Sequence, residues 1–157
     1  MRTLAIAAGI AAATFVTAES ASAQNFRGFV GGGVMSDVND EHFPTVGGGV
    51  LFDLGQPWVS AGGQGEIFFS WPYVAGRGGM FLQGNVVPKG PVRPFVLAGF
   101  GSGESDGAMF GAGVELRPRA GGAGFRASVE DYLAKVGSRE EYDTDHQITF
   151  RVALTFR

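Results

Sequence analysis

The end of the chain alternates without interruption: Ile148, Phe150, Val152, Leu154 and Phe156 fall on one face, and Gln147, Thr149, Arg151, Ala153, Thr155 and Arg157 on the other. A period of two carried by β-branched and aromatic side chains, with no Gly or Pro, predicts a β-strand. It is long enough to cross a bilayer, which takes about 9 to 11 tilted residues, whereas strands of soluble sheets are nearer 5 or 6.

Seven earlier segments carry the same period: Asn25 to Met35, Phe43 to Leu54, Trp58 to Trp71, Arg77 to Val87, Arg93 to Gly101, Ala108 to Arg117 and Gly124 to Lys135. In the third, Val59, Ala61, Ile67, Phe69 and Trp71 alternate with Ser60, Gln64, Glu66 and Ser70. In the sixth, Phe110, Ala112, Val114 and Leu116 oppose Glu115 and Arg117. The seventh sets Phe125, Ala127, Val129 and Leu133 against Arg126, Ser128, Glu130 and Tyr132, with Asp131 breaking the apolar face. Either the strand leaves the apolar band before Asp131, or a bulge turns that residue inward. The phase is least clear in the fourth and fifth segments.

The connections after the second, fourth and sixth strands read as short turns, two of them rich in Pro and Gly. Those after the first, third, fifth and seventh read as mostly longer and acidic: Ser36 to His42, Pro72 to Gly76, Gly101 to Gly107 and Val136 to Asp145. Eight strands with this asymmetry predict an all-β fold, an eight-stranded antiparallel up-and-down transmembrane β-barrel with both ends of the chain on one side. The 27 glycines suit bent, closely packed strands and are wrong for helices. Phe26, Phe52, Phe125 and Phe156 fall at one rim, and Phe43, Trp71, Tyr73, Phe100 and Phe110 at the other, as interfacial girdles do.

The first residues read as a secretory signal, with Arg2 as the positive start, an apolar run from Leu4 to Val16 and the small-residue site Ala21-Ser22-Ala23. Cleavage before Gln24 leaves one barrel domain, 24–157. Cys is absent, so disulfides and thiolate metal sites are excluded. A net charge of −3, with Lys89 and Lys135 the sole lysines, argues against nucleic acid.

The closing strand, the Ala21-Ser22-Ala23 site and the piece Arg93-Pro94-Phe95-Val96-Leu97-Ala98-Gly99-Phe100-Gly101 together resemble the small outer-membrane barrels of the OmpA, OmpX and opacity-protein type. The resemblance implies a monomer in the outer membrane of a Gram-negative cell envelope, surrounded by outer-membrane lipids. It also implies periplasmic chaperones and the barrel-assembly machinery as partners, the latter reading Phe150 and Phe156 as an insertion signal. The penultimate position of the terminal aromatic, followed by Arg157, departs from the pattern.

Alternation fixes two faces and not which one is outside. With the apolar face outward, Gln64, Glu66, Glu115, Arg126, Glu130 and Arg151 meet inside as a paired network, because charges withdrawn from water need partners. A barrel of this size is filled by side chains, so the network acts as a plug or, in the sharper reading, as a gate whose ion pairs exchange to admit ions. With the apolar face inward, the chain is a soluble periplasmic or secreted barrel that binds an apolar ligand.

No phosphate-binding glycine motif and no His-Glu-x-x-His occur, and no cofactor is expected. The two histidines, His42 and His146, fall in acidic loops. Asp40, Glu41, His42, Asp143, Asp145 and His146 form a candidate outer-loop cation site, weighed against a solvated acidic rim. A lipid-modifying barrel enzyme needs an activated Ser paired with His at the outer end, and no Ser-His spacing is recognisable. A structural or surface-interaction role without catalysis is the expectation.

Overall fold

A computed structural model describes residues 26–37, 41–103, 106–117, 122–136 and 143–156. The signal segment 1–23 and its cleavage point lie outside these residues, as do Asp40 and the side chain of Asp143. Eight strands follow in chain order: β1 (Phe26–Ser36), β2 (His42–Asp53), β3 (Val59–Ser70), β4 (Tyr73–Asn85), β5 (Val92–Ser102), β6 (Gly107–Leu116), β7 (Gly124–Val136) and β8 (Asp143–Phe156). Each pairs antiparallel with its neighbour and β8 closes on β1, so the sheet has no free edge.

The register sets the shape of the barrel. A cross-strand row that starts at Ser36 passes Ile148, Asp131, Phe110, Ala98, Leu82, Ala61 and Phe52, and returns to β1 at Phe26, ten residues lower. With about 3.3 Å per residue and about 4.8 Å between strands, this stagger tilts the strands by about 40° and sets Ser36 about 25 Å above Phe26 along the axis. That height matches the apolar band of about 25 Å carried by transmembrane barrels.

The two faces separate cleanly. On β8, Phe150 and Val152 are 55% and 62% exposed on the outside, while Arg151 between them is 3% exposed on the inside. The fourth and fifth strands keep the same phase. Met80, Leu82, Val96 and Phe100 point outward, and Phe81, Gln83, Asn85 and Leu97 are buried. The apolar side chains therefore form the outer surface, and the inward-facing alternative around an apolar ligand is not adopted.

Three expectations are corrected. The connections at the end holding the termini span 54–58, 86–91 and 117–123, and those at the opposite, loop end span 37–41, 71–72, 103–106 and 137–142. The loop end is therefore not the longer one. Its hairpins zip further than local turn signals suggest: Ser70 pairs with Tyr73, so Trp71 and Pro72 alone connect β3 to β4 where a loop over Pro72 to Gly76 was expected. Likewise His42, Asp145 and His146 belong to strands and not to loops. Asp131 needs no bulge, since its row runs unbroken from Phe110 to Ile148 and its side chain stays on the outward face.

Inside, aromatic rings lie across glycines of the next strand. A Cβ on Gly49 would stand 2.6 Å from the Phe29 ring, on Gly62 2.7 Å from the Phe81 ring, and on Gly113 2.5 Å from the Phe95 ring. Each ring faces its glycine directly across the ladder. Dense glycine is thus the space that lets phenylalanines lie flat in a narrow lumen. In the turns Gly55 and Gly90 adopt φ of 76° and 113°, which other residues rarely reach.

These contacts make the two glycine faces unequal. Gly49→Ala, whose methyl would also meet the Gly63 carbonyl at 2.3 Å, should lower stability by about 1–3 kcal/mol in urea unfolding from lipid vesicles. Gly63→Ala, with nothing nearer than 3.6 Å, should be neutral within about 0.5 kcal/mol or stabilising.

Candidate functional site

The inward residues of eight strands converge on two clusters of charge separated by an apolar layer. Toward the loop end, Glu66 of β3 accepts from Arg77 of β4 and from Arg151 of β8. Arg151 also reaches Glu130 of β7 at 3.2 Å, and Gln64 donates to Glu130 at 2.6 Å. Ser128 completes the Glu130 carboxylate at 2.8 Å. Arg77 spends its other donors on Gln147 at 3.0 Å and Thr149 at 2.7 Å, and its guanidinium stacks 4.7 Å from the Tyr132 ring. Two arginines face two glutamates here, so the cluster is neutral as a unit. A small polar cavity beside Gln64, Glu66, Arg77 and Tyr132 has room for about one water.

Toward the terminal end, Arg27 of β1 bridges Asp53 at 2.5 Å and Glu115 at 2.8 Å, and donates to Ser60 at 3.0 Å. Glu115 takes a second guanidinium from Arg117 at 2.6 Å. Arg126 lies apart from these carboxylates. It donates to Gln83 at 2.7 Å, its guanidinium sits 3.9 Å from the Phe95 ring and 5.1 Å from Phe29, and its Nε and Nη2 find no acceptor among the described residues. Between the clusters Phe29, Leu51, Phe81, Phe95, Leu97 and Ala153 form a buried apolar layer.

The structure thus brings Gln64, Glu66, Glu130 and Arg151 together, and places Glu115 and Arg126 in the other half of the lumen. Arg27, Asp53, Arg77 and Gln83 also belong to the network, though the sequence pattern did not single them out. The signal was present, because each shares the inward parity of its strand.

Of the outer-loop set, Asp40 and the side chain of Asp143 lie outside the described residues. His42 holds Ser36, His146 holds Asp131, and Asp145 falls on the opposite face of β8 from His146. Among the described residues no group of three His, Cys, Asp or Glu side chains is close enough to hold a metal ion. Phe150 is exposed on the outer face. Phe156 ends β8 and lies over Gly28 of β1.

The backbone matches eight-stranded transmembrane barrels. The N-terminal β-barrel domain of Pseudomonas aeruginosa OprF superposes with a TM-score of 0.58 at 16% identity, covering 85% of this chain and 98% of that one. Neisserial surface protein A gives 0.62 at 9% identity over 83% and 94% of the two chains. A de novo designed transmembrane β-barrel gives 0.53 at 14% identity over 86% and 98%. No family model matches the chain, and no curated protein matches it. The fold is the transmembrane β-barrel, and at these identities the likeness extends to the fold alone.

The buried ion pairs carry a stability prediction. Glu66→Leu leaves Arg77 without a carboxylate and Arg151 with Glu130 alone, and should cost about 3–5 kcal/mol in equilibrium unfolding from vesicles. Adding Arg151→Met to that variant should cost less than the sum of the two single changes, as a double-mutant cycle will register.

Proposed function

We propose that this chain is an integral outer-membrane β-barrel whose role is structural or surface-interacting, with its lumen closed by ion pairs around an apolar layer. The observation that carries the reading is the inversion of faces. Apolar side chains cover the outside of a closed sheet over about 25 Å of height, while Glu66, Glu115, Glu130, Arg126 and Arg151 are buried within. Such a surface is unstable in water and matched to acyl chains, and closure satisfies every strand's backbone groups where no water can. The likeness of fold to transmembrane barrels supports it. Export by the segment 1–23 and monomeric insertion in outer-membrane lipids are part of the same proposal. So is delivery by periplasmic chaperones to the barrel-assembly machinery, with Phe150 and Phe156 as the closing-strand signal. The role needs no catalytic step in the lumen.

The two tryptophans report depth. Trp58 lies in the turn after β2 and Trp71 in the turn after β3, 53% and 97% exposed, so one stands at each rim. In vesicles of brominated lipids, the variants keeping one tryptophan each should be quenched most by bromine near the headgroups and least by bromine at the chain ends. Absence of quenching, with the protein in the aqueous fraction, would refute the proposal. In planar bilayers the folded protein should show no sustained conductance, because Phe29, Phe81 and Phe95 block the lumen between its charged halves. Steady open-channel current would contradict the plug.

A further inference from the structure

Four consecutive strands bring together, on their outward faces at the loop end, side chains that the lumen does not use. One cross-strand row runs Asp131 on β7, Ile148 on β8, Ser36 on β1 and His42 on β2. Ser36 Oγ lies 2.9 Å from His42 Nδ1, so in the tautomer protonated at Nε2 the hydroxyl donates to the ring. His146, two residues from Ile148 on β8, pairs through Nδ1 with Asp131 Oδ2 at 2.9 Å. Its Nε2 has no partner among the described residues. A serine hydroxyl that donates to one imidazole supplies a nucleophile and its base, and the next strand carries a second imidazole held by a carboxylate. Sequence spacing conceals the set, because its members come from four strands and Ser36 meets His42 only when the β1–β2 hairpin zips to its last pair.

We propose that Ser36 is the nucleophile of an esterase site on the outer rim, and that its substrates are acyl esters of membrane lipids. The substrate class rests on the membrane reading above. Ser36 stands about 25 Å above Phe26, at the upper limit of the apolar band, where acyl chains end and their ester carbonyls begin. In the acylation step a bond forms between Ser36 Oγ and the carbonyl carbon, while the hydroxyl proton passes to His42 Nδ1. The ester C–O bond then breaks, and His42 returns that proton to the departing lipid oxygen, leaving acyl-Ser36 and a lipid with a free hydroxyl. Water attacks the acyl carbon, giving its proton to His42 and then to Ser36 Oγ, and the free fatty acid leaves. In its ion-paired form His146 presents Nε2–H as a donor to the carbonyl oxygen as negative charge develops there. Asp131 acts through His146 and is a positioning residue.

The test uses the full chain folded in detergent and a fluorophosphonate probe, with the labelled serines identified by peptide mass spectrometry. Ser102 is the internal control, exposed at the same end on β5 and without a histidine contact. Ser36 should react roughly 100-fold faster than Ser102, the scale of general-base assistance, and His42→Ala should bring it to the control rate. Equal labelling of Ser36 and Ser102 in the unaltered protein overturns the site, whether or not any variant folds. Fatty-acid release from phosphatidylethanolamine in mixed micelles should accompany labelling and disappear in Ser36→Ala. Asp131→Asn should lower kcat about tenfold with KM unchanged, whereas a merely structural loss at the rim raises KM as well. Hydrolysis of soluble p-nitrophenyl butyrate with no release from the phospholipid overturns the lipid assignment. The probe reads Ser36 in detergent whatever the depth of the barrel, so failure here is distinct from failure of tryptophan quenching in vesicles.

Discussion

Everything in this molecule follows from the closure of the backbone ladder between β8 and β1. Hydrocarbon offers no hydrogen bonds, so a sheet with two open edges strands a row of amides and carbonyls at each, while a ring strands none. Closing eight strands at a stagger of ten residues leaves an interior too narrow for a continuous water-filled channel and wide enough for two facing side chains. The constraint then passes to side chains. Outward positions become lipid-compatible, and inward positions must be small, or flat, or paired.

All three inward solutions occur, and they depend on one another. Phe29, Phe81 and Phe95 lie flat because Gly49, Gly62 and Gly113 leave them the width of a missing Cβ. Two of these rings, Phe29 and Phe95, carry the Arg126 guanidinium, whose cation–π contacts supply part of what a carboxylate partner would. Glu66 and Glu130 spread their charge over Arg77, Arg151, Gln64 and Ser128, so neither carboxylate is left half satisfied. The two charged halves and the layer between them make the interior a filled core turned inside out.

The fold was legible because period-two alternation survives in every strand, even in β4 and β5 where glycines blur it. Most of the polar interior was legible for the same reason, since parity alone sends Gln64, Glu66, Glu115, Arg126, Glu130 and Arg151 inward. Strand length was not legible. Pro72, Gly76 and the acidic run before His42 suggest loops locally, yet cross-strand pairing recruits Tyr73 to Gly76, Ser36 and His42 once a neighbour is in register. For that reason Ser36 and His42 read as loop residues, although they face each other across a ladder. Asp131 looked like a flaw in the apolar face, and its reason, His146 on the adjacent strand, is a non-local contact that no period reveals.

The central claim is the direction of the two faces, and β8 tests it most directly. Nitroxide labels placed singly from Ile148 to Leu154 in the barrel reconstituted in vesicles, with collision rates measured against oxygen and a water-soluble nickel chelate, read the environment residue by residue. Positions 148, 150, 152 and 154 should collide freely with oxygen and hardly with nickel, and positions 149, 151 and 153 should be shielded from both. Oxygen access that shows no period of two, or nickel access at the even positions with the odd ones facing lipid, would contradict the account.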